Sequence, residues 1–364
     1  MTLVTAQELP WSPLFTRHRA GLPEVTVYGV LSVWAGTLGP LFNVGEVEAP
    51  LWSRSLMKPF QLLVLMPELQ AAYPELEPGH FALMMASHNA EPAQLAGLQG
   101  ILDIGGIKES QLLCPACFGL SEAEAFRKQA EGLAPSPLFH PCSGKHLAML
   151  LALKAKKKAL KNYLDPTQGY YKRLRVFLGW LLNREADTFL EATDGCGMPM
   201  LALSAQEMAM VYCSLTQALP LESLQEPPEE VERLLPYWGM IRSFMLQEAA
   251  LIGGAGRLDS RLMQGHGRTV PNRLVLAKEG ADGLLGIGLI PQLPFKNGLG
   301  MLIKLAGGYD PAYLETVYDG LLTALGLAEG EKPGLVERQA TGQETQFHFE
   351  PLIGTAILDD ALVL

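Results

Sequence analysis

Apolar positions alternate or cluster in short β-branched runs near both ends of the chain and fall into longer helical runs between them. From Val25 to Trp52 the sequence VTVYGVLSVWAGTLGPLFNVGEVEAPLW is rich in β-branched and aromatic residues and punctuated by Gly and Pro, which predicts short strands with turns and an N-terminal hairpin. Helical signals then dominate. Ser121 with Glu124 has the capping-box pattern, Asp165-Pro166 can cap a helix ahead of YYKRLRVFLGWLL, and the Pro- and Glu-rich patch from Glu226 to Glu230 marks a helix start. Beyond Pro271, RLVLAKEGADGLLGIGLI and GLGMLIKLAGG read as strands broken by glycine turns, followed by a helix from Pro311 to about Leu327. Strands at both ends with helices between them can share one sheet only if the distant ends pair. The fold expected is therefore α+β, with an antiparallel sheet built from N- and C-terminal strands and a large helical insertion. No internal repeat or low-complexity linker divides the chain, so residues 1–364 are expected to form a single catalytic unit. Within it, residues 1–58 plus 265–364 would form the sheet-containing lobe and 59–264 the mainly helical one.

Composition narrows the function. Apolar residues are 48% of the 364 and charged residues 18%, enough for a large core and contrary to disorder. A formal net charge of -10 repels nucleic-acid backbones and anionic lipid alike, leaving small molecules as the expected partners. The first residues, MTLVTAQELPWSPLFTRHR, lack the pattern of a secretory signal, and no apolar stretch approaches the roughly 18 residues of a membrane span. A cytoplasmic location is expected, and the five cysteines fit reduced thiols better than a disulfide framework. The basic run from Lys154 to Lys161 lies late in a helix, where the dipole favours cations, and reads as a solvated face rather than a phosphate site.

Several short strings carry candidate chemistry. Ser55 and Lys58 form the only Ser-x-x-Lys in the chain, placed where strands give way to a helix. A lysine can take a serine proton only if burial or a neighbouring cation lowers its pKa from about 10.4; the bland alternative is a capping serine beside a surface lysine. Lys278-Glu279-Gly280 in a C-terminal strand occupies a place comparable to the Lys-Thr-Gly element that accompanies Ser-x-x-Lys in penicillin-binding proteins. Ser87, in Ala86-Ser87-His88-Asn89-Ala90-Glu91, is either a helix cap or a second serine near Lys278, and His88 is a candidate base or a structural residue. Cys142-Ser143-Gly144-Lys145-His146 and Asp194-Gly195-Cys196-Gly197-Met198-Pro199 each precede a helix, and their cysteines could reach one Zn²⁺ with further ligands completing the set. Cys114 and Cys117 form a lone Cys-x-x-Cys without redox or zinc-ribbon context, and Cys213 reads as core.

Taken together, SRSLMKPFQ, ASHNAE, CSGKH, DGCGMP and AKEGADG resemble, in order and spacing, the rhizobial-type L-asparaginases, often called asparaginase II. That resemblance implies a fold like that of serine-dependent glutaminases and β-lactamases, two Ser-Lys pairs, a zinc site and a homodimer. It implies Ser55 with Lys58 as the first pair and Ser87 with Lys278 as the second. Cys142, Lys145 and Cys196 would hold zinc, with water completing the coordination, which requires Lys145 to be neutral. Arg54, His146 and Asp194 match polar positions around that site. Asp282 departs from the glutamate more usual in the family. The function so implied is hydrolysis of L-asparagine to L-aspartate and ammonia. A glutaminase or other small-amide hydrolase is the alternative, because one methylene is worth only about 1–3 kcal/mol in binding. A catalytically silent protein that binds zinc or an amino acid is the alternative of another class.

Overall fold

A computed structural model describes residues 9–217, 226–266, 274–291, 298–327, 336–338 and 343–349. Pro271 and the two residues after it, from which the C-terminal strands were counted, lie outside the described residues. Among the described residues eleven strands run as β1 (Ser12–Arg19), β2 (Leu22–Ala35), β3 (Gly39–Val44), β4 (Pro50–Trp52), β5 (Glu191–Thr193), β6 (Pro199–Ser204), β7 (Val275–Gly280), β8 (Leu284–Leu289), β9 (Leu299–Leu305), β10 (Val336–Arg338) and β11 (Gln343–Phe347). Eight of them form one sheet in the order β10-β11-β1-β2-β9-β8-β7, with β3 paired to β2. Every pairing in it is antiparallel, and β2 meets β9 from Gly29 opposite Leu305 to Ala35 opposite Leu299. The two ends of the chain thus join as the hydrophobic pattern requires, and the α+β architecture with a helical insertion is observed.

The expected hairpin is β2–β3, but β2 reaches back to Leu22 and pairs with β1, whose SPLFTRHR carries five polar or charged side chains and no apolar run. β4 leaves this sheet altogether and joins β6 and β5 in a second, three-stranded one, an exception to the mostly helical middle. The helix ahead of YYKRLRVFLGWLL starts at Gly169 rather than at Asp165. The Asp165 carboxylate instead accepts from the Thr167 N–H at 2.9 Å and its hydroxyl at 2.7 Å, making a local turn. Ser121 does cap its helix through the Glu124 N–H, while the Glu124 carboxylate turns to Arg127 and Lys128 instead of completing the box. The Glu226–Glu230 patch does open a helical stretch, Glu229–Glu232, and the helix from Pro311 ends at Ala324. Among the described residues no helix is long and apolar enough to cross a membrane. Lys154, Lys156, Lys157, Lys158 and Lys161 are exposed; Lys154 caps another helix through the carbonyls of Gly105 and Gly106.

The glycines of β8 and β9 correct a second expectation. Gly286, Gly288 and Gly300 are not turns, and the chain turns between β7 and β8 at Asp282 and Gly283. Gly286 and Gly300 lie inside strands because the helix Ala205–Thr216 crosses the sheet directly over them. A Cβ on Gly286 would come within 2.6 Å of the Tyr212 ring, and one on Gly300 would overlap the Ala209 carbonyl oxygen and lie 2.7 Å from the Cys213 Cβ. Gly300→Ala is therefore expected to destabilise the fold by about 3 kcal/mol through overpacking against helix backbone that cannot yield. Urea denaturation checks this, and an unchanged midpoint would show that the helix can shift. The packing matters to the site because the Tyr212 hydroxyl donates to the Leu56 carbonyl at 2.9 Å, tying the Ser55 turn to this helix.

Candidate active site

Ser55 sits in a 3-10 turn, Arg54–Met57, between β4 and the helix Lys58–Leu63. Pro59 occupies the first turn of that helix, where its missing N–H costs nothing. The turn opens into a cavity of about 730 Å³, within the range of small-molecule sites. Its wall combines Arg54 and Ser55 with Ser87 and Asn89, then Cys142, the Asp194–Cys196 segment, Arg257, Glu279 to Asp282, and Tyr309. Arg54 (φ 46°), Ala90 (φ 63°) and Asp282 (φ 62°) adopt left-handed backbone, a strained conformation for residues with a Cβ, and all three lie on segments that form this wall.

Lys58 is fully buried. Its ammonium donates to the Ser87 hydroxyl at 3.0 Å, to the Pro141 carbonyl at 3.2 Å and to the Ala86 carbonyl. Burial lowers its pKa to about 8, with the cations of Lys145 and Lys278 adding to the effect and Cys142 opposing it. His88 is neutral, since burial holds it down at about 3. Its Nδ1 accepts from the Ala90 N–H at 3.1 Å, so Nε2 carries the proton and donates to the Ser143 hydroxyl at 2.9 Å, which in turn donates to the Leu138 carbonyl. That chain fixes the Ser87 loop to the start of the helix Ser143–Ala155 and leaves His88 no role as a base.

At that helix start Cys142 faces Cys196 and Asp194, and one ligand atom from each lies within 4.8 Å of the others. Cys196 is in the turn between β5 and β6, not at a helix start: Gly197 has φ 90° and its N–H closes the turn on the Asp194 carbonyl. A hydrogen bond from the Cys196 thiol holds Cys142 well below the usual thiol range, aided by Lys58 and Lys145, and the same bond pushes Cys196 up. The Lys145 ammonium lies 3.6 Å from Asp194 Oδ2. Although burial disfavours its charge, Cys142, Cys196 and Asp194 together raise its pKa. Asp194 also accepts from Arg54 Nε at 3.0 Å and from the Gly195 N–H at 2.8 Å, while the other arm of Arg54 meets Asp282.

A second buried ionic group lies behind the Glu279 wall. Asp259 Oδ2 accepts from Lys278 Nζ at 2.8 Å and from the Glu279 N–H at 3.1 Å. Burial pushes the Asp259 carboxyl up, but Lys278 and Arg257 outweigh it and hold it at about 2. Glu279 in turn receives Arg257 Nε and, at 2.7 Å, the Tyr309 hydroxyl.

A family profile described as L-asparaginase II matches residues 16–349. The chain belongs to the L-asparaginase II family. Membership makes it an amidohydrolase. Solved structures similar to it include a probable glutaminase from Bacillus subtilis complexed with 6-diazo-5-oxo-L-norleucine, at 14% identity, 83% of this chain, 85% of that one and TM-score 0.38. Another is the Bacillus subtilis glutaminase YbgJ in covalent complex with 5-oxo-L-norleucine, at 13% identity, 83% and 89% coverage and TM-score 0.36. Nothing among curated proteins matches the chain significantly.

In this L-asparaginase II family member Ser55, Ser87, Arg54, Cys142, Asp194 and Cys196 all reach one cavity, but the Ser-Lys partnerships differ from those the resemblance implies. Among the described residues Lys58 is bonded to Ser87 rather than Ser55, and Lys278 is bonded to Asp259 and the Glu279 carbonyl rather than to Ser87. Lys278 is wholly buried and does not form part of the wall. His146 is also withdrawn: its Nδ1 pairs with the Tyr163 hydroxyl at 2.6 Å, its Nε2 has no protein partner among the described residues, and it is fully buried outside the cavity wall. Cys114 donates to the Pro137 carbonyl and Cys213 lies in the core, both as free thiols like Cys117. Asp259, Arg257 and Tyr309 were not anticipated. They stand in short polar segments with no motif spacing, and only the preceding Gly253-Gly254-Ala255-Gly256 hinted that backbone there packs closely.

Proposed function

We propose that the chain hydrolyses the side-chain amide of L-asparagine to L-aspartate and ammonia, with Ser55 as nucleophile and the neutral amine of Lys58 as the base. The observation that supports this reading best is the burial of Lys58 beside the cavity, three residues from Ser55 and bonded to Ser87, with its pKa lowered to about 8. At pH 7 on the order of a tenth of the molecules then carry the free amine, against roughly one in a few thousand for an exposed lysine. Ser87 passes the Ser55 proton to Lys58. The Ser55 oxygen bonds to the amide carbon, the tetrahedral oxyanion collapses with protonation and loss of ammonia, and water then cleaves the Ser55 ester. Backbone N–H groups at the Ser55 turn are the candidates for holding the oxyanion.

The donor set of Cys142 and Cys196 with Lys145 and Asp194 beside them fits zinc, since two buried sulfurs and a carboxylate converge within bonding reach after a small contraction. Cys142, Cys196 and Lys145 would hold it, Lys145 losing its proton on binding, with Asp194 adjacent to steady the set. When bound there, zinc supplies Lewis-acid polarisation of a carbonyl oxygen in the cavity.

The test is ammonia release from L-asparagine and L-glutamine by purified protein, with zinc added or chelated, beside Ser55→Ala and Ser87→Ala. Asparagine turnover that is lost in Ser55→Ala and falls on chelation is expected. A diazoketone analogue of asparagine should label Ser55. Labelling of Ser87 would instead support a second reading, in which Ser87 is the nucleophile, as its hydrogen bond to Lys58 favours. Turnover of glutamine alone changes the substrate, and tight amino-acid binding without turnover makes this a binding protein.

A further inference from the structure

The cavity wall carries a second arginine, Arg257, whose hydrogen bonding differs from that of Arg54. Arg54 is spent on both sides, on Asp194 through Nε and on Asp282 through Nη1. Arg257 uses only Nε, which donates to Glu279 Oε2, and its Nη1 and Nη2 have no protein hydrogen bond among the described residues although the residue lines the cavity. The guanidinium is held rigidly. Glu279 is fully buried, its other oxygen accepts from the Tyr309 hydroxyl, and the Tyr309 ring centroid lies 5.5 Å from the guanidinium carbon. Asp259 fixes Glu279 in turn through its backbone N–H. The side chain of Arg257 lines the cavity and is only 12% exposed, so its Nη1 and Nη2, left without protein partners among the described residues, form a largely desolvated two-pronged donor of the kind that pairs with a planar anion.

We propose that this edge of Arg257 reads the α-carboxylate of the amino-acid substrate, with Glu279 and Tyr309 as positioning residues that hold the guanidinium in register. The proposal rests on the reading of the substrate as an amino acid carrying a side-chain amide. Arg257 then sets specificity: it admits asparagine, places the side-chain amide toward Ser55, and rejects amides without an α-carboxylate because the desolvated fork would be left unpaired.

L-asparagine and L-asparaginamide, whose α-carboxylate is an uncharged amide, are compared as substrates of wild type, Arg257→Gln and Arg257→Lys. Wild type should prefer asparagine by about 100-fold in kcat/KM, and Arg257→Gln should erase that preference by raising KM for asparagine while changing asparaginamide turnover less than about threefold. Arg257→Lys should recover part of it, which a folding defect would not allow. Equal loss on both substrates, or no preference in wild type, overturns the proposal. Should wild type hydrolyse neither, the functional reading fails on its own, and calorimetric binding of L-aspartate against L-isoasparagine decides the matter for Arg257. Tighter aspartate binding that disappears in Arg257→Gln sustains the proposal, and binding of neither, or of both alike in wild type and variant, overturns it.

Discussion

Replacing Lys58 by Met is expected to lower kcat for asparagine by about 10³–10⁴-fold, the range for losing a general base. Met keeps the length of the buried stem and removes the charge, so the fold should survive, and the loss can be assigned to chemistry. The pH profile supplies the independent check. Lys58 must be neutral to accept a proton, and its pKa is lowered to about 8 by burial; wild-type activity should therefore rise with pH and reach half its limit near pH 8. The same shift affects stability. With the folded pKa below the unfolded value of about 10.5, the unfolded chain binds more protons between pH 8 and 10.5, so stability should rise across that window in wild type and lose this component in Lys58→Met. A flat activity profile from pH 6 to 9, or a Lys58→Met variant within tenfold of wild type, would remove Lys58 from the mechanism.

Asp259→Asn should destabilise the protein by about 3–5 kcal/mol, because it strips the counter-charge from Lys278 where neither side chain is exposed at all. The double variant Asp259→Leu with Lys278→Met should recover most of the loss, since a buried pair replaced by apolar side chains of similar volume is close to neutral. Denaturant midpoints for Asp259→Leu, Lys278→Met and the double variant measure this as a cycle. The sign with pH follows from the carboxyl being held at about 2 against an ordinary value near 3.8. Its contribution is complete above the unfolded value and is lost as pH falls through the folded one. A drop of under 1 kcal/mol in Asp259→Asn would mean that water or a neighbouring group neutralises Lys278.

How far the site could be read from sequence depended on whether each residue acts through its neighbours in the chain. Ser55 and Lys58 are one turn apart, and Cys142 stands at the start of an apolar helix; such local patterns are visible without a fold. The partner of Lys58 is not, because Ser87 is 29 positions away and meets it only after the loop following Met85 is drawn in by the carbonyls of Ile252 and Gly253. Lys278 was noticed, yet its counter-ion, Asp259, comes from a separate short helix, and no pattern near either residue encodes that contact. The glycines of β8 and β9 were legible as residues and misread in role, since a turn and a close helix approach demand the same missing side chain.

The sequence by itself determined the α+β layout, because alternating apolar runs at both ends leave the chain only one way to bury them together. It also determined which short strings carry polar chemistry. Tertiary structure alone decided that Lys58 faces Ser87, that Lys278 serves Asp259, that His146 stays outside the cavity, and that Arg257 lines it while bonded to Glu279. The physical reason is that hydrogen-bond partnership and desolvation depend on which groups share a buried volume. That volume is assembled here from the turn after β4, the loop after Met85, the β5–β6 turn, the end of β7 and segments that lead into helices distant in sequence.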